Sequence, residues 1–255
     1  MNPNERELQY HINCRPGDVG EYVILPGDPG RCELIAREFE DARFVTSNRE
    51  YTVYTGTLCG KKVSAVSTGI GGPSAAIAME ELCNIGAKYF IRVGTCGGID
   101  LSVKPGDLVI ASASVRQDGT SYEYAPEGYP ATADHRVTCA LEQAAKTLGY
   151  PCHVGVAQAK DSFYGQHDPD SKPVSAMLNA KWEAWKRLGV LCSEMESAAL
   201  FCVAAYRRVS CGAVFYAVWN QELEKAGVKL EEQHDTFTAV HCAAEAIKLL
   251  INGKV

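Results

Sequence analysis

The chain has 255 residues, 46% of them hydrophobic and 22% charged, which is the ordinary composition of a soluble globular protein with a sizeable core. Its net charge of −6 argues against a general surface for nucleic acid or for anionic membranes, but it leaves room for one local positive pocket. The polar first ten residues predict no secretory leader, and no apolar run is long enough to span a bilayer, so we expect a cytoplasmic protein with neither nucleic-acid nor membrane partners.

Apolar runs rich in β-branched residues alternate with helical patterns along the chain. The runs predict strands at 22–25, 51–58, 62–67, 89–93, 108–112, 153–159 and 211–218. Helical spacing predicts helices at 32–38, 74–86, 137–148, 179–188, 196–207 and 236–251. We expect a long loop at 116–130 and a mobile flap at 165–173. The alternation predicts one three-layer α/β/α domain over residues 1–255, with a mixed central sheet flanked by helices on both faces.

The eleven cysteines are an unusual feature of the composition. Their count is odd and no C-x-x-C pair occurs, which disfavours a disulfide framework or a zinc site. Most of them lie in apolar runs or predicted helices, so we expect buried, reduced thiols that pack as small hydrophobic side chains. The H-E-x-x-H, G-x-S-x-G and P-loop sequences are also absent.

Two glycine-rich segments follow predicted strands, one reading GDPGR at 27–31 and the other STGIGGPSAAIAMEE at 67–81. Glycine lets backbone N–H groups approach a ligand, and a helix that opens there adds its positive end. Arg31 adds a forked, permanent cation, so the first segment suits a small oxyanion such as phosphate. The alternatives are a solvated Arg31 and an Asp28 that only caps the turn.

Arg92 interrupts an otherwise apolar run at 89–93, and a buried arginine needs an anionic partner. The glycines at 94–98 and the Thr95 hydroxyl follow directly, which favours an anion pocket at the end of this strand. In contrast, Arg49 and Glu50 can be an ordinary surface pair, and His11 by itself indicates only a structural residue.

Two further segments carry groups that suit a nucleoside. Glu194 and Glu196 flank Met195, and carboxylates can bind a diol while the thioether packs on a sugar face; acids at a helix N-terminus are the alternative. Phe163 and Gln166 offer an aromatic face beside an amide, which suits a planar heterocycle, although an exposed amide at a strand end is equally consistent. All these groups follow predicted strands, where ligands of α/β sheets bind.

These segments resemble the nucleoside phosphorylases of the uridine phosphorylase type from about residue 11 to 250. The matching sequences are LPGDPGR, SNRE, STGIGGPSAAIAMEEL, IRVGTCGGI, DSFYGQ and SEMESAAL. The resemblance implies a pentosyltransferase with a partly barrel-like sheet. It implies phosphate-dependent, reversible cleavage of a nucleoside, with uridine favoured, to the free base and ribose 1-phosphate. It also implies no organic cofactor and a homo-oligomer built from dimers, with a hexamer expected.

The resemblance assigns roles to individual residues. Phosphate would bind to Gly27, Arg31, Arg49, Arg92 and Thr95. Ribose would bind to His11, Met195 and Glu196, with His11 and Arg49 donated to a neighbouring subunit. The base would bind to Cys96, Gly97, Phe163, Gln166, Asn220 and Gln221. The catalytic groups would be Arg92, Glu196 and Gln166. A K⁺ ion between subunits would bind to Glu50, Ile70 and Ser74.

Two departures from the uridine-specific pattern leave the base open. That pattern has arginines where this chain has Asp168 and Gln221. A purine or broad-specificity phosphorylase of the same fold is therefore the alternative. A hydrolase is disfavoured by Arg31, Arg49 and Arg92, and a nucleoside-binding protein without activity is disfavoured because both halves of the site are present.

Overall fold

The computed structural model describes residues 7–231, 233 and 235–254. The prediction that the first ten residues contain no secretory leader therefore falls mostly outside the described residues. The strands are β1 Tyr22–Pro26, β2 Glu40–Asn48, β3 Tyr51–Leu58, β4 Lys61–Val66, β5 Tyr89–Gly98, β6 Leu108–Gln117, β7 Ala131–Thr132, β8 Cys152–Lys160, β9 Cys192–Glu194 and β10 Ser210–Asn220. The α-helices are α1 Arg31–Ala36, α2 Gly72–Asn84, α3 Thr120–Tyr124, α4 His135–Leu148, α5 Phe163–His167, α6 Ser175–Arg187, α7 Ser197–Arg207, α8 Gln221–Lys225 and α9 Phe237–Ile251.

The described strands form one mixed sheet that is partly closed on itself. The order is β10-β6-β8-β9-β5-β1-β4-β3-β2, and β10 also pairs with β5, so five strands form a closed barrel. Strand β5 is parallel to both β1 and β10, whereas β2, β3 and β4 follow one another antiparallel. This arrangement confirms the predicted α/β fold with a mixed, partly barrel-like sheet flanked by helices.

Helices cover both faces of the sheet. Successive strand residues point to opposite sides, so both faces carry apolar side chains that pack against helices. In β1, Val23 and Leu25 join the hydrophobic core that includes Met79 of α2 and Phe201 of α7. The intervening Ile24 joins a second core, with side chains from α1, α4 and α9. The carboxyl end of β1 is therefore held between two packed layers, which fixes the position of the glycine turn that follows it.

The structure corrects several predicted boundaries. The glycines at 94–98 are not a loop: β5 continues through them, and Gly97 and Gly98 pair with β9 on one side and β10 on the other. The predicted loop at 116–130 contains α3, and the predicted flap at 165–173 contains the end of α5 and a 3₁₀ turn at Pro169–Ser171. Strands β2, β7 and β9 were missed, because β2 is mostly exposed and β7 and β9 have only two and three residues.

Arg116 holds the segment after β6 in place. Its guanidinium donates hydrogen bonds to the backbone carbonyls of Ser121, Ala125, Pro126 and Tyr129 at 2.6–2.9 Å.

All eleven cysteines are free thiols, and seven of them are buried. No helix in the described ranges combines the length and apolar character needed to cross a membrane.

Candidate active site

One cavity of about 940 Å³ lies at the carboxyl ends of β1, β5, β8, β9 and β10. Its lining includes most of the residues that the sequence singled out: Gly27, Arg31, Arg92, Thr95, Cys96, Gly97, Phe163, Gln166, Met195 and Glu196. They come together because the strand ends that carry them meet at one edge of the sheet. The volume falls in the range of small-molecule sites.

Two guanidinium groups occupy one end of this cavity. Arg31 is the first residue of α1, and Arg92 lies on β5. Burial lowers the pKa of Arg31, and the nearby charge of Arg92 lowers it further, against the opposing effect of Asp28. A Cβ atom at Gly27 would lie 3.1 Å from Nη2 of Arg92, so glycine leaves the space that this arginine occupies. Two neighbouring cations with little exposure favour an anion between them.

Arg92 is 5% exposed and finds its anionic partner within the protein. Its Nη2 donates to Oε2 of Glu196 at 2.6 Å, and its Nη1 donates to Oγ1 of Thr68 at 2.9 Å. Its Nε is buried and has no hydrogen-bond partner among the described residues. This Nε lies against the backbone of β5, since a Cβ atom at Gly94 would be 3.5 Å from it, and an unpaired buried donor of this kind is costly.

Glu196 immediately precedes α7 and also contacts the start of α2. Its Oε1 accepts a hydrogen bond from the backbone N–H of Gly71 at 2.6 Å, and Gly71 directly precedes α2. The carboxylate thus lies where the positive ends of two helices converge, beside the Arg92 guanidinium. These contacts fix the orientation of the Glu196 carboxylate in the cavity lining.

Glu194 has a different environment from Glu196 although only Met195 separates them in the chain. It is buried, and it accepts hydrogen bonds from the N–H of Glu196 at 2.8 Å and from the N–H and hydroxyl of Ser197. Burial, followed by the charge of Glu196, raises the pKa of Glu194 to about 7. Glu194 therefore holds the start of α7, which leaves Glu196 as the carboxylate suited to a diol.

The other end of the cavity is aromatic and amide-lined. The ring centroids of Phe163 and His167 are 4.3 Å apart, and His167 lies 6.0 Å from Trp219. Oε1 of Gln166 accepts a hydrogen bond from the hydroxyl of Ser193 at 2.6 Å. This end therefore offers flat apolar faces beside an oriented amide, which fits a planar base.

Asn220 and Gln221 lie outside the main cavity lining. The Asn220 side chain is fully buried: its Nδ2 donates to the carbonyls of Asp100 and Val103, and its Oδ1 accepts from the N–H groups of Glu222 and Leu223. Its amide is committed to the fold, which corrects the base-binding assignment of Asn220. Gln221 lines a smaller neighbouring cavity of about 260 Å³ that shares Gln166 with the main one.

His11 and Arg49 form a separate surface group. Nδ1 of His11 lies 2.7 Å from Oε1 of Glu81, and the His11 carbonyl accepts from Nδ2 of Asn48 at 2.7 Å. The exposed Arg49 guanidinium lies 5.9 Å from the Tyr10 ring centroid. Neither His11 nor Arg49 lines the cavity of its own chain.

The three residues predicted to bind K⁺ lie close to one another. The Ser74 hydroxyl donates to the Ile70 carbonyl at 3.2 Å, and a Cβ at Gly69 would lie 2.9 Å from Cγ of Glu50 and 3.5 Å from Oγ of Ser74. In the described part of the chain, no three His, Cys, Asp or Glu side chains form a group that could hold a metal ion.

A family model described as the phosphorylase superfamily matches residues 21–252. The chain belongs to this superfamily. It is 51% identical to a uridine phosphorylase of Treponema pallidum, over 96% of this chain and 95% of that protein. It is 43% identical to a uridine phosphorylase of Thermococcus kodakarensis, over 96% and 88%, and 36% identical to a guanosine phosphorylase of Halorubrum lacusprofundi, over 81% of each chain.

Membership of the superfamily confirms the family resemblance. The sequence analysis missed several residues of the cavity lining, among them Lys160, His167, Ser193 and Trp219. One signal for Lys160 was available, since this lysine directly follows the predicted strand at 153–159 and directly precedes the DSFYGQ segment. Ser193 had no such signal, because its role depends on contacts that reach 27 and 33 residues along the chain.

Proposed function

We propose that this protein is a nucleoside phosphorylase that favours uridine and converts it, with inorganic phosphate, to uracil and ribose 1-phosphate. The observation that carries the proposal is the buried contact between Arg92 and Glu196, which puts an anion-binding group and a diol-binding group side by side. The aromatic end of the same cavity supplies the base site. Two relatives named uridine phosphorylase support uridine as the substrate.

Phosphate binds between Arg31 and Arg92, with Gly27 and Thr95 donating from the ends of β1 and β5. The closeness of the two arginines supports this placement, because the charge of Arg92 lowers the pKa of Arg31 and an anion between them would offset that effect. Arg49 of the partner subunit completes the anion site in this proposal. Phosphate is a co-substrate here, and the residues that bind it require no organic cofactor.

Ribose binds over Met195, and Glu196 accepts hydrogen bonds from its 2′- and 3′-hydroxyls. The partner subunit's His11 contacts the 5′-hydroxyl. As the glycosidic bond stretches, positive charge develops on the sugar, and the bound phosphate stabilises this charge and attacks C1′. Positioning and electrostatics supply most of the rate, with no covalent enzyme intermediate.

The base lies against Phe163, near Cys96 and Gly97, and Gln166 donates a hydrogen bond to one of its carbonyls. Because Oε1 of Gln166 is held by Ser193, its Nε2 is left to face the substrate. Gln221 belongs to the neighbouring cavity and contacts the base only if the base extends past Gln166.

The assembly is a dimer in which each subunit gives His11 and Arg49 to the other, and hexamers are built from such dimers. Glu50, Ile70 and Ser74 supply carboxylate, carbonyl and hydroxyl oxygens, which are suitable ligands for a K⁺ ion at the subunit interface.

A panel of uridine, inosine, adenosine and guanosine, each with and without phosphate, tests the proposal by following base release. We expect phosphate-dependent release that is fastest with uridine. Faster release of a purine would indicate a purine nucleoside phosphorylase. This is the second candidate function, because Asp168 and Gln221 stand where the uridine-specific pattern has arginines and because one relative is a guanosine phosphorylase. Equal release without phosphate would indicate a hydrolase, and binding without release would indicate a nucleoside-binding protein.

A further inference from the structure

Lys160 is a buried cation at the base end of the cavity, and the proposed phosphate and ribose contacts do not use it. It ends β8, is 5% exposed and lines both the main cavity and the smaller one beside it. A lysine is seldom buried without a partner, because removing its charge from water is costly. Its position therefore requires an explanation.

The ammonium group has one hydrogen-bond acceptor among the described residues. Nζ of Lys160 donates to Oγ of Ser193 at 2.7 Å, and Ser193 donates to Oε1 of Gln166 at 2.6 Å. Since an ammonium has three N–H donors and no acceptor, two of its donors have no described protein acceptor. The direction of the first of these hydrogen bonds is fixed, because an ammonium can only donate.

The charge of the departing base is the remaining problem of the proposed reaction. When the C1′–N1 bond breaks, its electron pair stays with the pyrimidine and spreads to the carbonyl oxygens, while a phosphate oxygen forms the new bond to C1′. Gln166 is neutral, and Asp168 is turned to an ion pair with Lys172 at 3.1 Å. Arg31 and Arg92 lie at the opposite, anion-binding end of the lining.

We propose that Lys160 is a catalytic residue whose ammonium donates a hydrogen bond to a carbonyl oxygen of the departing base and stabilises its negative charge. The inference rests on the proposed function and extends it to the leaving group. It also defines the preferred base as one that presents a carbonyl oxygen to this edge of the cavity, because an ammonium cannot accept a hydrogen bond from an amino group.

The environment of Lys160 supports this role. Burial lowers its pKa, while the charge of Glu194 acts in the opposite direction. A more acidic N–H is a stronger hydrogen-bond donor, and a cation that is already oriented by Ser193 needs no rearrangement as charge develops on the base.

The test compares Lys160→Met with Lys181→Met, using uridine and 5-fluorouridine as substrates. Lys181 is a matched control, because it lines the same smaller cavity but is exposed. We expect Lys160→Met to lower kcat for uridine by about 10²–10³-fold, the usual cost of removing one such donor. The loss with 5-fluorouridine is expected to be smaller, by about tenfold, since fluorine itself stabilises the departing anion.

Equal losses for the two nucleosides would show a structural role for Lys160 and overturn the inference, as would an unchanged kcat. A second measurement needs neither turnover nor a variant: ultraviolet titration of 5-fluorouracil bound to the wild-type protein. We expect the pKa of the bound base to fall by at least about one unit, because a nearby cation favours the anion. An unshifted pKa would overturn the inference even if Lys160→Met did not fold. Absence of any phosphate-dependent base release by the wild type would instead count against the proposed function.

Discussion

Nη2 of Arg92 lies 2.6 Å from Oε2 of Glu196, although the two residues are 104 positions apart in the chain. The same carboxylate accepts the Gly71 N–H, so it is held from two sides. In the proposed reaction this contact joins the phosphate site to the ribose site. Binding of phosphate at Arg92 and binding of ribose at Glu196 are then expected to depend on each other.

Replacing Glu196 by glutamine tests the ribose assignment. Glu196→Gln keeps the shape and one acceptor oxygen but removes the charge that pairs with Arg92. We expect kcat/KM for the nucleoside to fall by about 10²–10³-fold and the free energy of unfolding to fall by about 1–3 kcal/mol. Steady-state kinetics and urea denaturation measure the two effects. The matched control is Glu183→Gln, an exposed carboxylate paired with Arg187, which should change neither. Normal nucleoside affinity and turnover in Glu196→Gln would contradict the assignment.

Arg92→Ala tests the phosphate site. Phosphorolysis should be abolished, with a loss of at least about 10³-fold, because the phosphate loses a charged hydrogen-bond donor at the reacting end of the cavity. Circular dichroism should still report the folded α/β protein. Arg37→Ala is the control, since that arginine is exposed and pairs with Glu33 on α1. Retention of near-normal turnover by Arg92→Ala would remove Arg92 from the site.

Asn220→Ala separates a structural residue from a base-binding one. The substitution leaves two buried carbonyls and two helix N–H groups without their partner. We expect a loss of about 1–3 kcal/mol in the free energy of unfolding, with the ratio of uridine to inosine turnover unchanged. A change in base preference without a loss of stability would restore Asn220 to the base site.

Mixing two inactive variants tests the donation of His11 and Arg49 across subunits. Arg49→Ala and Arg92→Ala damage the same site from different chains if the proposal is correct. Unfolding and refolding the two together should recover about a quarter of the wild-type activity, because half of the dimers are mixed and each carries one intact site. The separately refolded variants provide the baseline. No recovery, although native mass spectrometry shows mixed dimers, would place Arg49 outside the partner's site.

The pH dependence of stability tests the environment of Glu194. Its pKa in the folded protein is raised to about 7, above the value near 4.5 of an unperturbed glutamate. The unfolded state therefore releases its proton first as pH rises, and the wild type should lose stability between about pH 4.5 and 7. Above that range the residue is ionised in both states, and its contribution no longer changes.

Glu194→Gln removes this titration while keeping an acceptor for the N–H groups of Glu196 and Ser197. The difference in the free energy of unfolding, wild type minus variant, should fall as pH rises through the window, as measured by urea denaturation at several pH values. A flat difference would show that Glu194 titrates normally in the folded protein.

Several parts of this protein could be predicted from sequence because they depend on local pattern. Strand and helix periods predicted the α/β class, and the predicted strands all exist. Arg31, Arg92, Glu196, Phe163 and Gln166 were found because each lies near a strand end, and strand ends of such sheets meet at one edge. Arg92 could be singled out without a structure, because it is a charged residue within an apolar run.

Tertiary structure decided which groups are partners. Local pattern could not show that Arg92 pairs with Glu196. It could not show that the Asn220 amide donates to the carbonyls of Asp100 and Val103. The hydrogen bonds that link Lys160 to Gln166 through Ser193 were equally hidden from it. The glycines at the end of β5 are part of the strand because the barrel closes there: β9 and β10, which come from distant parts of the chain, supply the hydrogen bonds that pair with them. The physical reason is the same in each case: a hydrogen bond depends on separation in space, and the fold alone sets that separation for residues far apart in sequence.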